Sequence, residues 1–122
     1  MGNKPRILIC DDERGVRESL KLILEREYHL AFATNGQEAL EHLERQEADL
    51  AILDIKMPQL NGLEALRALK QLRPGLRILM ITGYESGDVA AEAIQLGADD
   101  YLTKPFERGK VQEKVRGLLP PV

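Results

Sequence analysis

Arg6-Ile7-Leu8-Ile9-Cys10-Asp11-Asp12-Glu13 decides the fold of this chain. An unbroken apolar run from Ile7 to Cys10 is stopped by three consecutive acids, Asp11 to Glu13. A strand with one wet face alternates apolar and polar residues. A continuous run of this length suits a strand buried on both faces, as in a parallel sheet covered by helices. The pattern recurs downstream. Leu50-Ala51-Ile52-Leu53 stops on Asp54, Arg77 to Ile81 on Thr82-Gly83, and Tyr101-Leu102-Thr103 on Lys104-Pro105. Tyr28 to Ala33 is the remaining strand-like segment.

Between these runs the apolar period becomes helical. Val16, Leu20, Ile23, Leu24 and Glu27 share that spacing, as do Ala39, Leu40 and Leu43, then Leu63, Leu66 and Leu69. Asn35-Gly36-Gln37-Glu38 reads as an N-cap with a glutamate three residues on, a capping box, and Asn61-Gly62-Leu63-Glu64 repeats the form. Arg73-Pro74-Gly75 ends the third helix. Ser86-Gly87-Asp88 opens an alanine-rich fourth helix that Gly97 closes. Val111, Val115 and Leu118 mark a fifth, ended by Gly117 and Pro120-Pro121. That last helix starts poorly: Glu107 and Arg108 stand where a Ser or Asp cap is common, and Gly109 costs roughly 1 kcal/mol relative to alanine. Five strands thus alternate with five helices through short loops. Strict alternation implies a parallel sheet with helices on both faces, and right-handed crossovers leave few topologies. The expected fold is a flavodoxin-like α/β three-layer sandwich, (βα)5, with strand order 2-1-3-4-5.

Composition narrows the function. A chain of 122 residues is expected to form one domain, its core running from about 6 to 119, with 120–122 as the start of a linker. Content of 43% hydrophobic and 30% charged residues is globular. Seventeen basic against twenty acidic residues give a net charge of −3, which argues against direct nucleic-acid binding or an anionic membrane surface. Cys10 is the sole cysteine, so no intrachain disulfide forms and a thiolate zinc site is not expected; Cys10 reads as a small buried apolar residue. No stretch approaches the roughly 20 apolar residues of a membrane span, and the four after Arg6 are too few for a signal-peptide core. A cytoplasmic location is expected. No tryptophan and 4% aromatic residues leave no base-stacking platform. His29 and His42 read as surface residues, and the basic residues of the first helix as a solvated face.

In open α/β sheets, ligands bind beyond the C-terminal strand ends near the switch in strand order. Asp11-Asp12-Glu13 end the first strand, and the order 2-1-3-4-5 brings together three aspartates (Asp11, Asp12 and Asp54), the Thr82 hydroxyl and the Lys104 ammonium. Clustered carboxylates either rise in pKa or hold a cation. Oxygen-only ligands select a hard ion, and Mg2+, held by one or two carboxylates and phosphate oxygens, suits them best. An aspartate beside such an ion can attack phosphorus to give an aspartyl-phosphate. Lys104, Thr82 and the metal could then each take one phosphoryl oxygen. Crowded charge should also cost metal-free stability, so Asp12→Ala is expected to stabilise the chain in chelator and to abolish magnesium binding.

Asp11-Asp12, Asp54 followed by Met57-Pro58 and Asn61-Gly62, Thr82-Gly83, Gly97-Ala98-Asp99-Asp100-Tyr101-Leu102 and Lys104-Pro105-Phe106 together resemble the receiver domains of two-component response regulators, over about Arg6 to Leu119. The resemblance implies a phosphorylation-controlled signalling switch rather than a conventional enzyme. It implies Asp54 as phospho-acceptor, Asp12 and Asp54 as direct magnesium ligands, Asp11 as a ligand through water, and the Lys56 backbone carbonyl completing the protein's share. Thr82 and Tyr101 match the family's switch pair, and the Lys104-Pro105 bond is expected to be cis. Lys56 and Tyr84 occupy the positions that tune phosphoryl lifetime. The implied partners are a sensor histidine kinase or histidine phosphotransfer protein and a downstream effector or output domain on the face of helix 4, strand 5 and helix 5, with dimerisation on phosphorylation as an option.

Three other readings compete. A magnesium phosphatase usually places a second acid two residues after its nucleophile; here that residue is Lys56. A flavin or nucleotide carrier needs a glycine- and hydroxyl-rich phosphate loop after the first strand, where Asp11-Asp12-Glu13 would repel it. A phosphorylation-independent binding module has no sequence feature against it beyond the complete site.

Overall fold

The apolar runs form strands where the sequence places them. The computed structural model describes residues 4–56, 62–83 and 87–119. In chain order the elements are β1 (Arg6–Cys10), α1 (Arg14–Leu24), β2 (His29–Ala33), α2 (Gly36–Arg45), β3 (Leu50–Asp54), α3 (Gly62–Leu72), β4 (Arg77–Thr82), α4 (Gly87–Gln95), β5 (Asp100–Thr103) and α5 (Arg108–Leu118). The strands form one sheet of order β2-β1-β3-β4-β5, every pair parallel. This is the flavodoxin-like order expected.

Alternate residues of β1, β3 and β4 enter opposite cores. Leu8, Cys10, Ala51, Leu53, Ile78 and Met80 pack beneath α2, α3 and α4 through Ala39, Leu43, Leu66, Leu69 and Ala93. Ile7, Ile9, Leu50, Ile52, Leu79 and Ile81 pack against α1 and α5 through Leu20, Leu24, Val111 and Val115. The two cores explain the unbroken apolar runs. All five residues of β3, the middle strand, are buried, whereas β5 at the edge buries only Leu102.

Local details differ from expectation in instructive ways. α1 stops at Leu24, so Glu27 lies outside it, and Tyr28 is a buried residue before β2 rather than its first member. Asn35 caps α2 by accepting from the Glu38 N–H at 2.9 Å. Glu38 reaches back one residue further than a capping box requires, to the Thr34 N–H at 2.7 Å and hydroxyl at 2.8 Å. The expected caps Asn61 and Ser86, and the terminators Pro120-Pro121, lie outside the described residues. Glu107 makes no side-chain cap bond, yet α5 runs its full length. Complete burial of Val111 and Val115 outweighs the weak cap and Gly109.

The loop before β5 is tied down at three points. Gly97 closes α4 at φ 115°, where glycine alone is unstrained. Asp99 Oδ2 accepts from the Ile78 N–H at 2.8 Å, and its carboxylate lies 3.4 Å from both Lys70 Nζ and Arg77 Nη1. The start of β5 is thereby held against β4, and past its far end the Lys104 N–H donates to the Thr82 carbonyl at 2.8 Å.

Candidate phosphoryl-acceptor site

The buried polar side chains among the described residues are Asp11, Asp54 and Thr82, and each ends or follows a strand. The Asp11 N–H extends the sheet by donating to the Ala33 carbonyl at 3.1 Å. Asp11 Oδ1 accepts from the Glu13 N–H at 2.8 Å, turning the chain into α1. Asp54 Oδ1 accepts from the Lys56 N–H at 3.2 Å. Lys104, just past β5 and preceding a cis peptide bond to Pro105, places Nζ 3.0 Å from Glu13 Oε1 and 3.5 Å from both Asp11 Oδ2 and Asp54 Oδ2.

The topology therefore brings Asp11, Asp54 and Lys104 together as the strand order requires. Oxygens of Asp11, Asp12, Glu13 and Asp54 all lie within 4.8 Å of one another. Among the described residues Asp11 Oδ2 is buried with no hydrogen-bond partner, and the Lys104 ammonium lies 3.5 Å from it. An orphaned buried carboxylate oxygen, facing an all-oxygen set, is the donor arrangement a hard divalent cation suits. Thr82 is buried, its hydroxyl donating to the Gly83 carbonyl at 3.1 Å. Tyr101 is set apart. The residue is 40% exposed and its ring lies under Lys114 Nζ at 5.7 Å, while that ammonium binds both Asp100 oxygens at 3.1 Å. Met57, Pro58 and Tyr84 lie outside the described residues.

Burial sets the electrostatics. It pushes the Asp11 carboxyl up to about 6; the Glu13 N–H opposes the rise, and the Asp54 charge adds to it. Burial raises Asp54 too, against the pull of Lys104 and the Lys56 N–H. For Lys104, burial disfavours the charge, but its hydrogen bond to Glu13 and the Asp54 and Asp11 charges outweigh it and raise the pKa. Cys10 is an inert thiol, pushed up to about 12 by burial and then by the Asp11 charge.

Burial places most of the cost of crowding on Asp11, while the Asp12 charge adds a smaller upward push on Asp54. Asp12 is exposed, so water screens it; Asp11 is fully buried. A carboxyl whose pKa is higher folded than unfolded contributes stability below the unfolded value, and that contribution is lost as pH rises through the folded one. In chelator, Asp11→Asn is therefore expected to stabilise the chain by about 1–3 kcal/mol near pH 8, the gain fading towards about pH 4. Denaturant melts of both chains across that range check it; a gain independent of pH would rule out the buried charge as its cause.

Two contacts escaped the sequence reading. Arg17, assigned to a solvated face, is half-buried and donates to the Asp11 carbonyl at 2.8 Å. Glu13, counted only among the acids, is the nearest partner of Lys104. The signal for Glu13 was its place beside Asp11-Asp12, and Arg17, five residues past Asp12, carried none. Next to this pair an apolar cleft of about 460 Å³ opens between Gly15, Val16, Ser19, Pro105 and Phe106.

A doubly wound α/β sheet with an acidic cluster and a lysine beyond its C-terminal strand ends places charged groups where ligands bind in this class of fold. The sequence pattern of the response regulator receiver domain matches residues 7–116, and the chain belongs to that family. It is 42% identical over 115 residues to the response regulator MprA of Mycobacterium leprae, covering 93% of this chain and 50% of that protein. It is 37% identical to the alkaline phosphatase synthesis transcriptional regulatory protein PhoP of Bacillus subtilis, covering 93% of this chain and 48% of that protein. The chain thus spans about half the length of these curated relatives. The solved CheY-like receiver domain protein of Methanospirillum hungatei superposes with TM-score 0.89 at 37% identity, over 94% of this chain and 93% of that one. No helix among the described residues is long and apolar enough to cross a membrane.

Proposed function

We propose that this domain is a magnesium-dependent phosphoryl acceptor whose modification on Asp54 switches a binding surface. The observation that carries the reading is the convergence of the buried Asp54 and Asp11 with the Lys104 ammonium, 3.5 Å from both. The donor is a phosphohistidine on a sensor histidine kinase or a histidine phosphotransfer protein. An Asp54 carboxylate oxygen attacks phosphorus, the P–O bond forms as the P–N bond breaks, and the imidazole keeps the electron pair and takes up a proton. No general base is needed, because the nucleophile is already a carboxylate. Lys104 pairs with one phosphoryl oxygen, and Thr82 gives its hydroxyl bond to Gly83 up for another. Asp12 and Asp54 would hold magnesium directly and Asp11 through water, with the Lys56 backbone carbonyl completing the set. The ion, when bound, offsets the roughly −1.5 to −2 charge that a phosphoryl group adds to an acidic pocket. The apolar cleft beside Glu13 and Lys104 offers the donor protein a seat at the mouth of the site.

The output follows from Tyr101. Outward under Lys114, its ring forms part of the face made by α4, β5 and α5. Movement of Thr82 towards the phosphoryl group lets the ring turn inward, which remodels that face for a downstream effector or output domain. The chain would act as a signalling domain and turn over no substrate other than its own phosphoryl group.

Intact-mass measurement after incubation with a small phosphoryl donor tests this. One phosphoryl group is expected with magnesium and none in chelator. Equal uptake in chelator would remove the metal from the reaction. If small donors and a panel of phosphorylated kinases all fail on a folded chain, a phosphorylation-independent binding module replaces the switch.

A further inference from the structure

We propose that Glu13 is a positioning residue that parks the Lys104 ammonium at the mouth of the site, leaving the space between Asp11 and Asp54 open to a divalent cation. The inference rests on the acceptor reading above and adds a residue to it. Two buried carboxylates face Lys104, and a low-dielectric surrounding strengthens their attraction for its charge. Yet both stand at 3.5 Å, while the short contact, 3.0 Å, goes to the mostly exposed Glu13. An ammonium drawn fully onto Asp11 and Asp54 would neutralise them itself and compete with a cation. It would also bind Asp54 Oδ2 tightly, making that oxygen a weaker nucleophile.

A second observation concerns the helix end. Glu13 occupies the N-cap position of α1, but its side chain makes no cap bond. Its N–H donates to Asp11 Oδ1 at 2.8 Å, which fixes its backbone against the pocket. The carboxylate is thus committed to Lys104 across 91 residues of sequence instead of to its own helix. On phosphoryl transfer Lys104 leaves Glu13 for the new phosphoryl oxygen, so Glu13 stabilises the unmodified site only.

Glu13→Gln keeps the length and an acceptor oxygen but removes the charge. In magnesium-free buffer the nitrogen-15 signal of the Lys104 ammonium is expected to shift as it moves onto Asp54. By calorimetric titration the dissociation constant for magnesium should rise about fivefold. In a Lys104→Met background the same Glu13→Gln change should leave magnesium affinity unaltered, because nothing remains to be parked. An equal loss in both backgrounds overturns the proposal, since Glu13 then acts on the cation itself. An unmoved ammonium signal overturns it as well. A parent chain that binds no magnesium overturns the acceptor reading instead, and the metal-free ammonium signal still decides whether Glu13 holds Lys104.

Discussion

Asp54→Asn is expected to take up no phosphoryl group under conditions that load the parent, a loss of at least about a thousandfold in rate. The amide nearly matches the carboxylate in shape, so β3 and its contacts should survive. It carries no negative charge, and its oxygen and nitrogen are poor nucleophiles towards phosphorus. The same substitution has a second, opposite signature. Asp54 is 4% exposed, and burial holds its carboxyl above the usual range. Removing that charge should raise metal-free stability at neutral pH while function disappears. Intact mass and denaturant melts on one preparation read both. Uptake at the parent's stoichiometry would move the acceptor to a neighbouring carboxylate, Asp12 first, because it is exposed to an incoming donor.

Gly62→Ala is expected to destabilise the chain by about 3 kcal/mol or more and to impair phosphoryl uptake with it. A Cβ on Gly62 would collide with the Asp54 carbonyl oxygen, and would stand 2.5 Å from Ile55 Cα and 2.9 Å from the Ile55 carbonyl. These are backbone atoms, so no side chain can swing aside. The Gly62 N–H also donates to the Ile55 carbonyl at 2.9 Å, stitching the start of α3 to the exit of β3. Relief of the clash must move the backbone that carries Asp54. Gly117, in α5, is the control: a Cβ there meets nothing within 4 Å, and alanine should gain about 0.5–1 kcal/mol. Denaturant unfolding of both variants checks the pair. A Gly62→Ala chain within about 0.5 kcal/mol of the parent would show that α3 can lift from β3 at little cost.

Much of this molecule is legible in one dimension. Continuous apolar runs such as Leu50–Leu53 have to be buried on both sides, and only a parallel sheet between helix layers does that. The helical spacing of Ala39 and Leu43 names the face that meets the sheet. Polar residues that stop each run, Asp11, Asp54, Thr82 and Lys104, have to sit at strand ends, and parallel strands put those ends on one side. Element edges were less legible: α1 yields at Leu24 because the chain must turn to seat Tyr28 in the core, a constraint absent from the spacing of Glu27.

The allocation of water and partners was decided only in three dimensions. Asp11 and Asp12 are chemically identical neighbours, yet one is fully buried and the other exposed, because successive residues leaving β1 point to different sides. Arg17 read as a solvated charge and Glu13 as one more acid of the strand-end cluster until folding set them against the Asp11 carbonyl and Lys104. Gly62 read as part of a helix start, and its close approach to Asp54 exists only once α3 lies on β3. Period and strand-end chemistry are properties of neighbours along the chain, so the sequence by itself determined the fold and which polar residues stop each strand. Desolvation, ion pairing and steric clearance depend on groups brought together from distant segments, and those the tertiary structure alone decided.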